Sequence, residues 1–331
     1  RTEAGSLNYL QIKNLLTMIG NENSFIYWID ILGSCNLRCP SCPVANTSHP
    51  EKYSGLMSLE LFGKIIRKAV SETFVSAIAM YNWSEPFLHP ELPKFIRVVN
   101  SHGLTSMLST NLNKINNLSE IVKAKPTEIR ISLSGFYQET YSVTHKKGNI
   151  ETVKENMHIL REEMDRQNSN IHVEIGYHKY LHNLGEEYNK MKELCNELRF
   201  VFKPAWANFS PLEKMITYFE DKSKLPEEDL KLIDLLVLKP EDSVKLAEQF
   251  KDYDCFLRSG QTAINADGSV ALCCATFEQQ NNIAPNFLDL SHEELQKRKY
   301  ENPLCSKCMS KSLHMLYANP ASNIINKMEI L

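Results

Sequence analysis

Between residues 24 and 204, short apolar runs and helical stretches alternate six times. SFIYWIDILG at 24–33 reads as a buried strand, rich in β-branched and aromatic residues. Ser58 caps a helix that runs through SLELFGKIIRKAV to about residue 70. FVSAIAMY at 74–81 is a second strand, ELPKFIRVVNS a helix ended by Gly103, and LTSMLS at 104–109 a third strand. A short helix near 117–124 stops before Pro126, and EIRISLS at 128–134 is the fourth strand. Ile150, Val153, Met157, Leu160 and Met164 then follow the spacing of one apolar helix face. IHVEIGYH at 171–178, a helix over 184–198 and RFVFKP at 199–204 complete the series. Such alternation dictates a parallel sheet with right-handed crossovers. Six units are too few for a closed eight-stranded barrel. The expected fold is therefore α/β, a partial (β/α)6 barrel with its functional loops at the carboxyl ends of the strands.

The pattern changes after Pro204. Residues 206–250 read as mostly helical, and from 251 onward the chain is short-stranded and cysteine-rich. The expected organisation is a leading helix over 1–23, the partial barrel over 24–205, a helical linker over 206–250 and a small domain with a tail over 251–331. No internal repeat or low-complexity tract appears.

The nine cysteines fall into two groups plus an isolated Cys195, expected in the core. An odd count split in this way suits two metal centres better than a secreted disulfide framework. Cys35, Cys39 and Cys42 are spaced C-x3-C-x2-C in CNLRCPSCP, on the loop after the first strand. No fourth cysteine lies nearby. A [4Fe–4S] cluster normally takes four cysteines, so three leave one iron with an open position; a partial zinc site is the alternative. In the second group, Asp267-Gly268 signals a two-residue type I′ hairpin whose return strand is Val270 to Cys274. Successive strand side chains point to opposite faces, so Cys273 and Cys274 are not expected on one metal. Cys255, Cys273, Cys305 and Cys308 make a four-thiolate site, with a zinc ribbon as the alternative to an iron–sulfur cluster. Cys274 is spare, and a free cysteine of this kind commonly packs as a small hydrophobe.

A C-x3-C-x2-C loop after the first strand of a partial barrel resembles the radical SAM superfamily. The resemblance implies a [4Fe–4S] cluster on Cys35, Cys39 and Cys42 whose open iron chelates S-adenosylmethionine. Reductive cleavage of that molecule gives a 5′-deoxyadenosyl radical, which abstracts hydrogen from an unactivated C–H bond. YNWSEPFLHPEL follows strand two, where the family carries a Gly-Gly-Glu segment that meets the amino group of S-adenosylmethionine. Trp83, Ser84 and Glu85 occupy that place, with both glycines replaced. Ser109 and Asn111 resemble the segment flanking the ribose, although Ser-Thr-Asn at a strand end is also ordinary turn chemistry. Ser132 and Ser134 resemble ribose and carboxylate contacts, and Lys146 the cation that meets the carboxylate. Ser41 stands where the family often has an aromatic residue.

The second cysteine group resembles the shortened "twitch" form of the SPASM extension, which implies one auxiliary [4Fe–4S] cluster. Two chemistries follow: electron uptake by that cluster gives dehydrogenation, and hydrogen return from a thiol such as Cys274 gives epimerisation. The 23 residues before the first strand are too few for the peptide-binding winged helix of many peptide-modifying relatives. The expected substrate is therefore a small polar molecule such as a sugar, aminocyclitol or glycan precursor. The alternatives are a peptide and a non-catalytic metal-binding scaffold. A reductant such as flavodoxin or ferredoxin is the implied protein partner.

Net charge is −3 and no long basic run occurs, which argues against nucleic acid as a partner. No apolar stretch is long enough to span a bilayer. The first residues lack the basic flank and apolar run of a signal peptide, so a cytoplasmic location is expected.

Overall fold

The computed structural model describes residues 24–47 and 55–317. The expected leading helix over 1–23 and the tail beyond 317 lie outside these residues. The described strands form one nine-stranded sheet in the order β6-β5-β4-β3-β2-β1-β7-β8-β9. Strands β1 (Phe25–Ile29), β2 (Val75–Ala79), β3 (Thr105–Thr110), β4 (Glu128–Leu133), β5 (His172–Lys179) and β6 (Val201–Trp206) are all parallel and pair in chain order. Helices α1 (Leu59–Glu72), α2 (Leu92–Ser101), α3 (Leu118–Ala124), α4 (Gln138–Thr144), α5 (Ile150–Arg166) and α6 (Glu186–Glu197) lie in the crossovers. This is the expected partial barrel.

Local chemistry explains the boundaries. The Ser58 hydroxyl accepts the Leu61 N–H at 3.1 Å and starts α1. Asn149 starts α5 in the same manner through the Thr152 N–H, a cap the apolar spacing alone did not locate. Lys125, at φ 54, ends α3 just before Pro126. On β4 burial alternates strictly: Ile129, Ile131 and Leu133 are fully buried and join the core with Ile150, Val153 and Met157 of α5. Glu128, Arg130 and Ser132 therefore stand on the opposite, inner face of the sheet.

The C-terminal segment joins this sheet. Strand β7 (Gln261–Ile264) pairs parallel to β1, and β8 (Val270–Ala271) and β9 (Asn282–Ala284) add antiparallel beyond it. The expected type I′ turn is not what forms. Gly268 N–H donates to Asn265 O at 2.9 Å, Asn265 N–H donates to Ser269 O at 2.9 Å, and only Gly268 of the Asp-Gly pair has positive φ, at 88°. The result is a three-residue loop with glycine in the left-handed position. The return strand is also shorter than expected. It ends at Ala271 because Thr276 folds the chain back, donating from both backbone and hydroxyl to Cys273 O. Cys273 and Cys274 thus lie in a turn rather than on a strand.

Helices α7 (Leu212–Asp221), α8 (Glu227–Asp234) and α9 (Pro240–Ala247) share a second hydrophobic core with Cys255, Leu257, Cys308, Leu313 and Leu316. The remaining longer helices are α10 (His292–Glu301) and α11 (Pro303–Ser310).

Candidate active site

Asp30, directly after strand β1, is a buried carboxylate inside an apolar run. Its oxygens accept the N–H groups of Asn82 at 2.8 Å, Trp83 at 3.1 Å and Ser84 at 3.1 Å, and the Ser84 hydroxyl. One side chain thus holds the whole segment after β2, the place where the family carries two glycines. Burial pushes the Asp30 carboxyl above the usual range, and those hydrogen bonds oppose the push. Asp30 escaped the motif reading, although an acid closing an apolar strand was a visible signal.

Glu85 joins three loops. Its backbone N–H donates to Ser34 O at 3.0 Å, and its carboxylate accepts from the N–H of Phe87 at 3.1 Å and of Asn111 at 2.7 Å. Burial raises its carboxyl from 4.5 to about 7. A proton therefore binds more tightly to the folded than to the unfolded chain, so stability falls as pH rises from 4.5 to about 7. Urea unfolding of iron-free protein across that window should show this slope, and Glu85→Gln should flatten it by about 3 kcal/mol at most. An unchanged slope in the variant would exclude the effect.

The cysteine loop is closed by its own backbone and by Asn46. Cys42 N–H donates to Cys39 O at 3.0 Å, and the Asn46 amide donates to the carbonyls of Cys39 and Cys42, each at 2.8 Å. Cys35 Sγ accepts from Leu37 N–H at 3.4 Å and Asn111 Nδ2 at 3.6 Å, and the Cys42 thiol donates to Trp83 O at 3.9 Å. Burial pushes the Cys35 thiol up to about 12, and raises Cys39 and Cys42 as well. A metal that binds here must displace these protons.

Trp83, Ser84, Glu85 and Asn111 are thus gathered around the three thiols. Ser109 stands on the inner face in register with Arg130. Ser132 stands on the inner face, and Ser134 is fully buried against Thr144 and His145 Nδ1, the latter at 3.0 Å. The Lys146 side chain is exposed, while its carbonyl accepts the Arg38 N–H at 2.9 Å and ties that loop to the cysteines. Ser41 is partly exposed on the cysteine loop.

Cys255, Cys273, Cys305 and Cys308 line one cavity together with Arg258, His314 and Tyr317. Cys274 is not among its lining residues; its Sγ faces Gln261 Oε1 at 3.7 Å. Burial pushes Cys255 to about 11 and raises Cys273 and Cys308 well above the ordinary thiol. Arg258, held on Asp254 at 2.6 Å, donates to Cys305 Sγ at 3.7 Å. His314 Nε2 bonds Tyr253 O at 3.1 Å, and its Nδ1 is buried without a partner. Lys299 is completely buried, on Gln261 O and Thr262 Oγ1, and its amine falls to about 7 through burial. None of these three residues carried a spacing signal. The two cysteine sites are linked by Trp83, whose indole N–H donates to Thr276 O at 3.1 Å.

Sulfur separation tests which group fits. Tetrahedral zinc holds its thiolates about 3.8 Å apart, given Zn–S near 2.3 Å. Among the described residues, three metal-ligating side chains come mutually within 4.8 Å only at Glu128, His172 and Glu174. Neither cysteine set is that tight, and all its donors are thiols, which suits a cluster larger than one ion.

An open parallel α/β sheet with a three-thiol loop after its first strand defines the class. Residues 29–179, a little under half of the chain, match the family described as Radical SAM superfamily, so the chain carries a radical SAM domain. Members of that superfamily use a [4Fe–4S] cluster and S-adenosylmethionine. No curated protein sequence matches the chain. Among solved structures, Streptococcus suis SuiB bound to S-adenosylmethionine is similar at 14% identity and a TM-score of 0.57, over 96% of this chain and 77% of that one. SuiB bound to precursor peptide SuiA is similar at 15% identity and 0.57, over 98% and 80%. AnSMEcpe with bound AdoMet is similar at 16% identity and 0.55, over 85% and 78%. At these identities the likeness is one of fold. No helix among the described residues is long and apolar enough to cross a membrane.

Proposed function

We propose that this enzyme takes a hydrogen atom from a C–H bond of a small polar substrate and completes the reaction by epimerisation or dehydrogenation. Cys35, Cys39 and Cys42 would hold the cluster, with Trp83, Ser84, Glu85, Ser109, Asn111, Ser132, Ser134 and Lys146 around S-adenosylmethionine. Once bound, the pair supplies a 5′-deoxyadenosyl radical. Cys255, Cys273, Cys305 and Cys308 would hold a second [4Fe–4S] cluster, as in a twitch-type extension, and a flavodoxin or ferredoxin would deliver electrons. The observation that carries this reading is the gathering of the three-thiol loop with the loops after β2 and β3, held by Asp30, Glu85 and Asn111. Anaerobic reconstitution followed by dithionite and S-adenosylmethionine should yield 5′-deoxyadenosine. Zinc in place of iron, with no such product, would overturn it in favour of a metal-binding scaffold.

Cys274 favours epimerisation. It lies apart from the four-thiol cavity, and burial raises its thiol to about 12, so it keeps its proton at neutral pH. An S–H in that state can return a hydrogen atom to a substrate radical; an electron and a proton from the reductant then restore the thiol. Cys274→Ala should retain 5′-deoxyadenosine formation yet fail to complete the epimer, and the wild type in D2O should place deuterium on the substrate carbon. A dehydrogenase would be little affected by the substitution and incorporate none. A peptide substrate is the second reading, supported by the likeness to the SuiB structure that holds a precursor peptide.

A further inference from the structure

The inner face of the sheet carries polar side chains whose hydrogen-bonding capacity the described residues leave largely unused. Strand alternation places Trp28 of β1, Arg130 of β4 and His178 of β5 on this face, with Tyr81 just beyond β2. The Trp28 and Tyr81 rings meet edge to face at 5.2 Å. The register of Trp28 with Ala79, Ala79 with Met107, Ser109 with Arg130 and Arg130 with Glu174 puts these side chains on one face, which Glu128 and Glu174 share.

Gly176 makes room for the guanidinium. A Cβ there would lie 2.5 Å from Arg130 Nε and 2.9 Å from Nη2. Gly176 pairs with Ser132, one inner-face position beyond Arg130, so the arginine leans toward the carboxyl ends where the cysteine loop lies. Its ion pair is loose. Nε is 3.6 Å from Glu174 Oε1, and the other Glu174 oxygen is taken by Lys203 at 2.7 Å. Among the described residues the two terminal nitrogens of Arg130 hold no hydrogen bond, and Trp28 Nε1 is buried without a partner. No hydrogen bond engages the Tyr81 hydroxyl or the His178 ring among those residues either.

Buried donors without acceptors are costly, and native proteins keep few of them without a reason. The buried donor here is the Trp28 indole N–H; a phenol and a partly exposed fork-shaped cation stand on the same face, a set complementary to an acceptor-rich anion. We propose that this face binds an anionic oxygen group of the substrate, a carboxylate or a phosphate, with Arg130 as its anchor and Trp28, Tyr81 and His178 around it. The proposal deepens the enzymatic reading above and rests on it for the identity of the ligand as substrate.

The test uses orthophosphate and acetate as probes on the full-length reconstituted protein labelled with 15N-arginine. The Nε–H resonance lost in Arg130→Lys identifies Arg130. A saturable shift of that resonance is expected with at least one probe; phosphate alone or acetate alone would name the group. Arg130→Gln, followed by the Tyr81 ring resonances, should weaken binding about tenfold or more. Gly176→Ala keeps every charge, displaces the guanidinium and should weaken binding comparably, so it carries the test if Arg130→Gln fails to fold. No saturable shift with either probe, or wild-type affinity in Gly176→Ala, overturns the proposal. Formation of 5′-deoxyadenosine by the same preparation without substrate judges the radical reading separately.

Discussion

Replacing Cys39 with alanine should abolish 5′-deoxyadenosine formation and remove about four of about eight irons, the complement of one cubane cluster. The effect is expected to be complete because no other thiol can substitute. The loop is closed on itself by Cys42 N–H to Cys39 O and by the Asn46 amide, which fixes where the sulfurs point. The variant should still fold, since Cys39 is partly exposed and outside the hydrophobic core. Iron analysis and product chromatography check both parts. Retention of all iron with loss of activity would mean that the loop does not hold a cluster.

The second large effect separates two adjacent cysteines. Cys273→Ala should lose the four irons of the C-terminal site, about half of the total, while Cys274→Ala should retain all of them. The geometry behind this is the turn closed by Thr276, which leaves Cys273 in the cavity with Cys255, Cys305 and Cys308 and leaves Cys274 on Gln261. Iron counting with electron paramagnetic resonance of the reduced protein distinguishes the two variants. Equal loss from both would contradict the assignment, and zinc in the wild-type site would replace it with a zinc ribbon.

The parallel strands were legible because each is a contiguous apolar run and each crossover helix has its own periodic face. The spacing of Ile150, Val153, Met157, Leu160 and Met164 located α5, all five residues being buried. The C-terminal hairpin was harder. Asp-Gly is compatible with more than one loop, and the choice depended on Asn265 pairing with Ser269, a long-range hydrogen-bond pattern that no local propensity encodes. The site divides in the same way. Closely spaced cysteines announce themselves, whereas Asp30 and Glu85 act on loops from other crossovers. Arg258 and His314 meet the four-thiol cavity only through tertiary packing. Arg130 looked like any polar residue on a strand until Gly176, on the neighbouring strand, showed the space reserved for it.

The pairing of β7 with β1 has a consequence for how the chain can be divided. An open barrel has two exposed edges, and a bare edge is a template for pairing with other chains. Here the edge at β1 is occupied along four residues by β7, and β8 and β9 extend the sheet past it. The cysteine-rich segment is therefore a selvedge: it finishes the border of the parallel sheet while it carries its own thiol site. Cutting the chain between the two cysteine groups would expose the flank of the strand that leads into the first of them. The C-terminal strands thus cover the edge of the strand that leads into the first cysteine loop.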